Sequence, residues 1–361
     1  MEQRSLAVAA ALCLGGMFVL APAAQPGARS STAKFISFDV PGTGVTGTFA
    51  NSINDAGTVA GVYLSGGWPH GFVRSPKGVI ATFDVPGARS TYVASINATG
   101  AIAGSYQDAA NVNHGFKLPA GGPIYVFNVP AAGQGGGQGT LPNAIDQAGD
   151  VTGYYIDRYL VLHGFVLYAS GTLSTFDAPG AGSGGNEGTY PVSINASGAI
   201  CGNYSDANLV FHGFVRDASA VITVFDAPSA GDKFEQGTMP AAIDNAGVIA
   251  GVDVTRSGPS EGFLRSPAGT IKVFGVPGAV ESFPRAINSS AAVTGQWLPA
   301  FAEAFSGFVT GAEGEITTFT VPGAGTAINT GTYPTGMNQA GAIAGYYVDS
   351  NGLSHGFLRI P

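Results

Sequence analysis

Five histidines are the most chemically capable side chains in this sequence, and each holds the same place in a recurring tripeptide. His70, His114, His163, His212 and His355 all stand before Gly-Phe. An acid lies six residues before four of them, as Asp108, Asp157, Asp206 and Asp349. Imidazole beside carboxylate is the pairing of general bases, activated nucleophiles and oriented metal ligands. The period argues against each of these uses, because a catalytic histidine is usually one of a kind. These recur, with spacings of 44, 49 and 49 residues from His70 to His212. A carboxylate closing one strand and accepting from an imidazole N–H that opens the next would pin a hairpin instead. Neighbouring copies would also stand too far apart to share one ion. No metal, no cofactor and no catalytic residue is therefore expected.

The elements that must position these residues follow from the repeat. Phe-Asp-Val-Pro-Gly, a Gly-rich stretch, Ile-Asn-x-x-Gly, Gly-x-Tyr and His-Gly-Phe recur from Lys34 onward, the last degenerating at Glu261 and Ser306. The turn residue is Asn54, Asn97, Asp146, Asn195, Asp244, Asn288 and Asn338, seven copies at a period typical of propeller blades. Within one copy, residues 92–96, 101–106, 114–118 and 124–127 are short β-prone runs bounded by Gly, Pro, Asn or Asp. Four such strands make one antiparallel blade. The reading is an all-β, seven-bladed β-propeller with four antiparallel strands per blade, forming a single domain over residues 34–361. Its blades fall near 48–85, 92–129, 141–178, 190–227, 239–276, 283–321, and 333–361 with 34–40. The chain ends after a third-type strand and begins, past its leader, with a fourth-type strand, so the N-terminal strand should complete the last blade. An open stack would instead call for polar caps on its end sheets, and none is present.

Residues 1–23 read as a secretory leader: Arg4, an apolar run over 6–20, then Ala21-Pro22-Ala23 at the cleavage site. Cleavage near Ala23 places the protein outside the cytoplasm, secreted, extracellular or periplasmic. It leaves Cys201 alone, in the place where another copy has Ala103, so that thiol is expected to be a small buried apolar group. No second apolar run is long enough to span a membrane. A formal net charge of −8 without any basic run excludes a nucleic-acid partner. The Gly-rich stretch 133–139 lacks the Lys-Ser/Thr ending of a phosphate loop. A monomer is expected.

Loop lengths divide the two faces of such a disc. The first-to-second and third-to-fourth connections are short and constant, whereas the second-to-third and fourth-to-first connections vary from copy to copy. Variable loops on a rigid scaffold are where binding resides. They carry Trp68, Tyr159, Trp297 and Phe301, side chains able to stack on a sugar or grip an apolar partner. One further residue breaks its column: Arg285 stands where the other copies have Asn51, Ala94, Asn143, Val192, Ala241 and Thr335. Glu281, four residues earlier, is its expected local partner.

The Ile-Asn-x-x-Gly, Gly-x-Tyr and His-Gly-Phe segments resemble the HAF-type extracellular repeats of bacterial secreted proteins, over nearly all of residues 34–361. That pattern commonly reads His-Ala-Phe, whereas every histidine here precedes Gly. The resemblance implies export and a β-rich repeat fold, and it supplies no active site. The functional expectation is a non-catalytic binding or scaffold propeller, engaging a glycan or protein through its variable-loop face. The alternatives are a carbohydrate-active lyase or hydrolase in the central funnel, with Arg285 as anchor, and a purely structural envelope or matrix protein.

Overall fold

A computed structural model describes residues 33–42, 44–256, 258–311 and 314–361; the leader expected over residues 1–23 lies outside them. The described residues are all-β, with 28 strands and no helix. The module around His163 shows how the sequence builds each unit. Gly139–Ile145, Val151–Ile156, Leu162–Leu167 and Leu173–Phe176 pair antiparallel in chain order. The first turn, Asp146 to Gly149, closes because the Asp146 carboxylate accepts from the backbone N–H groups of Gly149 and Asp150, while Gly149 takes φ 91°. The same order recurs along the chain. Its last three strands, Gly331–Met337, Ile343–Val348 and Ser354–Ile360, are joined by Lys34–Phe38, which pairs antiparallel with Ser354–Ile360 and sets Ile36 opposite Leu358.

Two glycine columns fix how tightly these strands approach. A Cβ on Gly153 of the second strand would stand 2.2 Å from the Leu141 carbonyl oxygen. That oxygen is thrust forward by a β-bulge between Pro142 and Ala144 in the first strand. A Cβ on Gly164 would stand 2.7 Å from the Phe176 ring, which lies directly over it. The glycine after each histidine thus makes room for the phenylalanine of Phe-Asp-x-Pro, as a side-chain-free position in a strand does where a ring must approach.

The core sits between modules rather than inside any one of them. Phe116 is fully buried among Ala60, Val62 and Val85 of the preceding module and Val93, Ile96 and Ile102 of its own. Phe83 meets Phe116 edge-on at 6.1 Å, and Phe127–Phe165, Phe176–Phe214 and Phe225–Phe263 repeat that geometry. Each such phenylalanine contributes about 2–3 kcal/mol by leaving water. Cys201 is fully buried in one of these clusters, and burial pushes its thiol up to about 12, as befits an inert apolar group.

Observed boundaries differ from the expected ones chiefly in two modules, whose first strands begin earlier, at Val45 and Ala279, because each has an extra bulge near its start. Trp68 opens the strand Trp68–Arg74 and Trp297 lies within Val293–Pro299, so neither is a loop residue.

Candidate functional site

The histidines come first, because their partners differ from the expected ones. His163 Nδ1 lies 2.9 Å from Asp177, fourteen residues later on the end of the fourth strand, and only 3.7 Å separates its Nε2 from Asp157. His70 with Asp84, His212 with Asp226 and His355 with Asp39 repeat the closer contact at 2.9–3.0 Å, and His114 meets Asn128 at 2.8 Å. The earlier acids cap their own loops instead. The Asp108 carboxylate accepts from the backbone N–H of Val112 and Ala110, which holds it below the usual carboxylate range. His114 Nε2 remains 3.3 Å from it, so the expected contact is present there but secondary. A tyrosine of the second strand stacks on most of these rings, as Tyr155 does on His163 at 4.9 Å. Each Nδ1 is thereby held in a loop clasp, while the Nε2 of His163, His212 and His355 stays 3.7–3.9 Å from the earlier acid. Among the described residues no cluster of three or more His, Cys, Asp or Glu could hold a metal ion.

A second repeated clasp went unread in the sequence. The hydroxyl of Thr140 accepts from the Val129 backbone N–H at 2.9 Å, tying the end of one module to the start of the next. Thr48, Thr91, Thr189, Thr238, Ser282 and Thr332 do the same for Val40, Val85, Ala178, Ala227, Val276 and Val321. Its signal was the recurrent Gly-Thr pair, as in Gly139-Thr140 and Gly188-Thr189.

With these groups occupied, two surfaces are left. The first is the loop-bearing face, where Tyr159, Leu160, Phe234, Phe301 and Ile328 are exposed. Phe301 is fully exposed at φ 66°, and Leu160 holds φ 68°. In equivalent loops the left-handed place of Leu160 is filled by Asn111 and Gly352, which tolerate it, and by a second leucine, Leu209, at φ 58°. A leucine or phenylalanine held there costs about 1 kcal/mol or more.

The second surface is the inner edge. First strands neighbour one another in chain order, and Gly331–Met337 also neighbours Val45–Ile53. Every one of them bulges at the residue of the broken column, so Asn51, Ala94, Asn143, Val192, Ala241, Arg285 and Thr335 are all bulge residues. Phe49, Tyr92, Leu141, Tyr190, Met239, Phe283 and Tyr333, two residues before each bulge, are likewise reached by solvent. Asn51, Asn143 and Thr335 reach the carbonyls of Val93, Pro191 and Ala50 on the neighbouring strand. Arg285 makes no such bond, and no carboxylate lies within ion-pair distance of it among the described residues, so the expected pairing with Glu281 is absent. Protein atoms crowding around it lower the Arg285 pKa, although the side chain is exposed to water. Aromatic rings gather on the neighbouring strands. Tyr333 stacks on Tyr346 at 5.0 Å, Phe49 meets Tyr346 edge-on at 5.0 Å, and the Arg285 guanidinium stands 5.9 Å from the Phe283 ring. Elsewhere Tyr154 and Tyr190 lie 4.5 Å apart, both pushed up by burial.

The sequence-picked residues are not gathered into one pocket. Trp68 lies beneath Arg89, whose guanidinium sits 3.8 Å from its ring. Tyr159 is exposed but bound to its neighbour Arg158. Trp297 packs beside Val276 and Phe308, with its Nε1 buried and unpaired. Only Phe301 projects freely, and Arg285 is exposed at its bulge on the first strand. Two clefts between modules on the short-turn side, one of about 550 Å³ lined by Ala98, Pro119 and Gly121, contain none of the five.

No family model matches the chain, nor does any curated protein. Solved structures do resemble it. A streptogramin B lyase aligns at TM-score 0.58 and 15% identity over 90% of this chain and 97% of its own. A catalytically inactive virginiamycin B lyase from Staphylococcus aureus, with quinupristin, aligns at 0.59 and 14% over 91% of this chain and 100% of its own. One prolyl endopeptidase aligns at 0.55 and 11%, over 88% of this chain and 51% of its own. These likenesses establish a propeller-type fold and carry no activity across.

Proposed function

We propose that the chain is a secreted, non-catalytic, seven-bladed propeller of the HAF-repeat kind that binds a glycan or protein through its loop-bearing face. The reading of a closed ring is supported by the pairing of Lys34–Phe38 with Ser354–Ile360 and by contacts that repeat across the junction. Asn97 Nδ2 donates to the Asp146 carbonyl of the next turn at 2.8 Å, and Asn338 Nδ2 donates likewise to Asn54 at 3.2 Å. Secretion rests on the residues of the leader alone.

The observation that carries the binding reading is the strained display of apolar side chains. Leu160 and Phe301 hold left-handed backbone conformations while their side chains face solvent, so each displays an apolar group at a backbone cost, whereas Leu209 in the equivalent loop is half-buried. Meanwhile the Nδ1 of each histidine is held by an aspartate or, for His114, by Asn128. The test is Leu160→Gly with Phe301→Ser, screened on a glycan array and by thermal melting. We expect a melting temperature equal to or above that of the wild type, and loss of whatever glycan the wild type retains. Turnover of a polysaccharide by the purified protein would overturn the reading in favour of an enzyme.

A further inference from the structure

Among the seven bulge residues and the seven residues two places before them, Phe49 to Thr335, Arg285 is the one charged side chain. Other half-buried or buried arginines are fastened to rings: Arg74 lies 4.9 Å from Phe38, Arg216 5.0 Å from Phe176 and Arg265 4.6 Å from Phe225. Those contacts recur with the repeat and serve the blade junctions. Arg285 belongs to no such series. It sits on the bulge that every first strand shares, which aims its side chain as it does the neutral ones in the other six. Its neighbours offer no anion, so its five N–H donors point into water or into a ligand.

We infer that the central space binds the carboxylate of a sugar acid, with Arg285 as its anchor and the rings of Tyr333, Tyr346 and Phe49 as the wall beside it. The inference rests on the closed-ring reading, since only a ring turns the inner edge into an enclosure. One planar guanidinium with no lysine and no nest of backbone N–H groups matches a carboxylate better than a phosphate dianion. A net charge of −8 repels a polyanion, so the ligand carries a single acid on an otherwise neutral sugar. Aromatic faces suit the apolar face of a pyranose, and the phenolic hydroxyl of Tyr346, close enough to Arg285 for each to shift the other's ionisation, can donate to the same ligand.

Calorimetry with cellobiouronic acid, its methyl ester and cellobiose tests this on the whole mature chain. The acid should bind one to one, with the ester and cellobiose at least tenfold weaker. Arg285→Ala should bring the acid down to the level of the ester, Arg285→Lys should fall between, and Tyr346→Phe should weaken the acid by a smaller factor. Melting of Arg285→Ala should match the wild type, because the exposed side chain makes no ion pair or hydrogen bond among the described residues that the fold would lose. Equal affinity for acid and ester, unchanged affinity in Arg285→Ala, or absence of acid binding would overturn the inference. Competition by N-acetylglycine as strong as that by cellobiouronic acid would overturn the sugar part in favour of a peptide carboxylate. A chain that binds the acid but fails the glycan array loses the loop-face reading and keeps this one; the reverse pattern overturns this one alone.

Discussion

The His212 module and the Glu261 module that follows it share a backbone and differ in chemistry. In both, the third-strand phenylalanine, Phe214 or Phe263, is fully buried, and both second-strand glycines, Gly202 and Gly251, sit against a bulged carbonyl. At the loop end the first module carries Tyr204, Asp206, His212 and Asp226, the second Asp253, Thr255, Glu261 and Gly275 at the same places. Tyr204 pairs across the strands with His212, and Asp253 pairs in the same register with Glu261. The four changes are coherent: once an acid replaces the histidine, an aspartate fourteen residues later would only repel it, and Gly275 stands there instead. The Ser306 module solves the same problem with a hydroxyl pair, Ser306 to Thr320 at 3.1 Å. The clasp is therefore separable from the fold, whose stability resides in the columns that both modules keep.

That conclusion is most exposed at the shared columns. Phe214→Ala and Phe263→Ala should each cost about 3–5 kcal/mol in urea denaturation, alike within error, because each opens the same inter-module cavity. Gly251→Ala should cost about 1–3 kcal/mol, since its Cβ would fall 2.5 Å from both the Met239 carbonyl oxygen and the Phe263 ring. A Phe263→Ala cost well below that of Phe214→Ala would mean that the clasp, not the core, sets the stability of a module.

A difference in pH dependence comes next in size. Asp253 is fully buried; its Oδ2 accepts from the Ser229 N–H, its Oδ1 has no partner, and burial raises its pKa, with nearby Glu261 adding to the effect. A carboxyl raised on folding costs stability above its native pKa, and that cost fades as the pH falls toward the unfolded value of about 3.9. Asp253→Asn should thus gain about 1 kcal/mol near pH 7 and progressively less toward pH 4. Asp206 has the opposite sign. Burial alone would push it up, but backbone N–H groups of Val210 and Asn208 outweigh that and hold it low. Its contribution is present above the unfolded pKa and is lost as the pH falls through the depressed native value. Asp206→Asn should therefore weaken the fold at pH 7 and have little effect in strong acid. Parallel pH–stability curves for the two variants would refute the contrast.

What could be read beforehand divides along the same line. Strand order, turns and the glycine under a ring were legible because a repeat prints each structural need as a column: Asn97 with Gly100, and Gly115 under Phe127. Partner choice was not, because it depends on which strand end returns beside which. Asp157, six residues before His163, looked the natural partner, yet its Oδ1 caps its own loop through the N–H groups of Tyr159 and Val161. Asp177 arrives from the far end of a hairpin. The paired degeneracy of Glu261 with Gly275 and of Ser306 with Thr320 already held that answer. Arg285 stood out as a broken column, but the bulge that aims it inward appears only in the strand register, and the four-residue distance to Glu281 suggested a pair that the second bulge, near Ala279, accompanies but does not bring about.

The smallest effect isolates the clasp itself. Asp226 is half exposed, so a double-mutant cycle on His212 and Asp226 should give a coupling of about 0.5–1 kcal/mol near pH 6, in the range of solvent-exposed pairs. The Glu261 module allows the converse experiment. Gly275 is not in a left-handed conformation, and a Cβ built there would find its nearest neighbour, Glu261 Oε1, at an ordinary 3.9 Å. Glu261→His with Gly275→Asp can therefore be installed without steric cost, and the register that sets His212 beside Asp226 is present, with Gly262 opposite Phe274 as Gly213 is opposite Phe225. The grafted pair should show a coupling within about 0.5 kcal/mol of the native one, provided that pairing depends on backbone register alone. Asp253 stands in the place of the stacking tyrosine, so a graft that couples only after Asp253→Tyr is added would show that the ring, by fixing the imidazole plane, is a working part of the clasp.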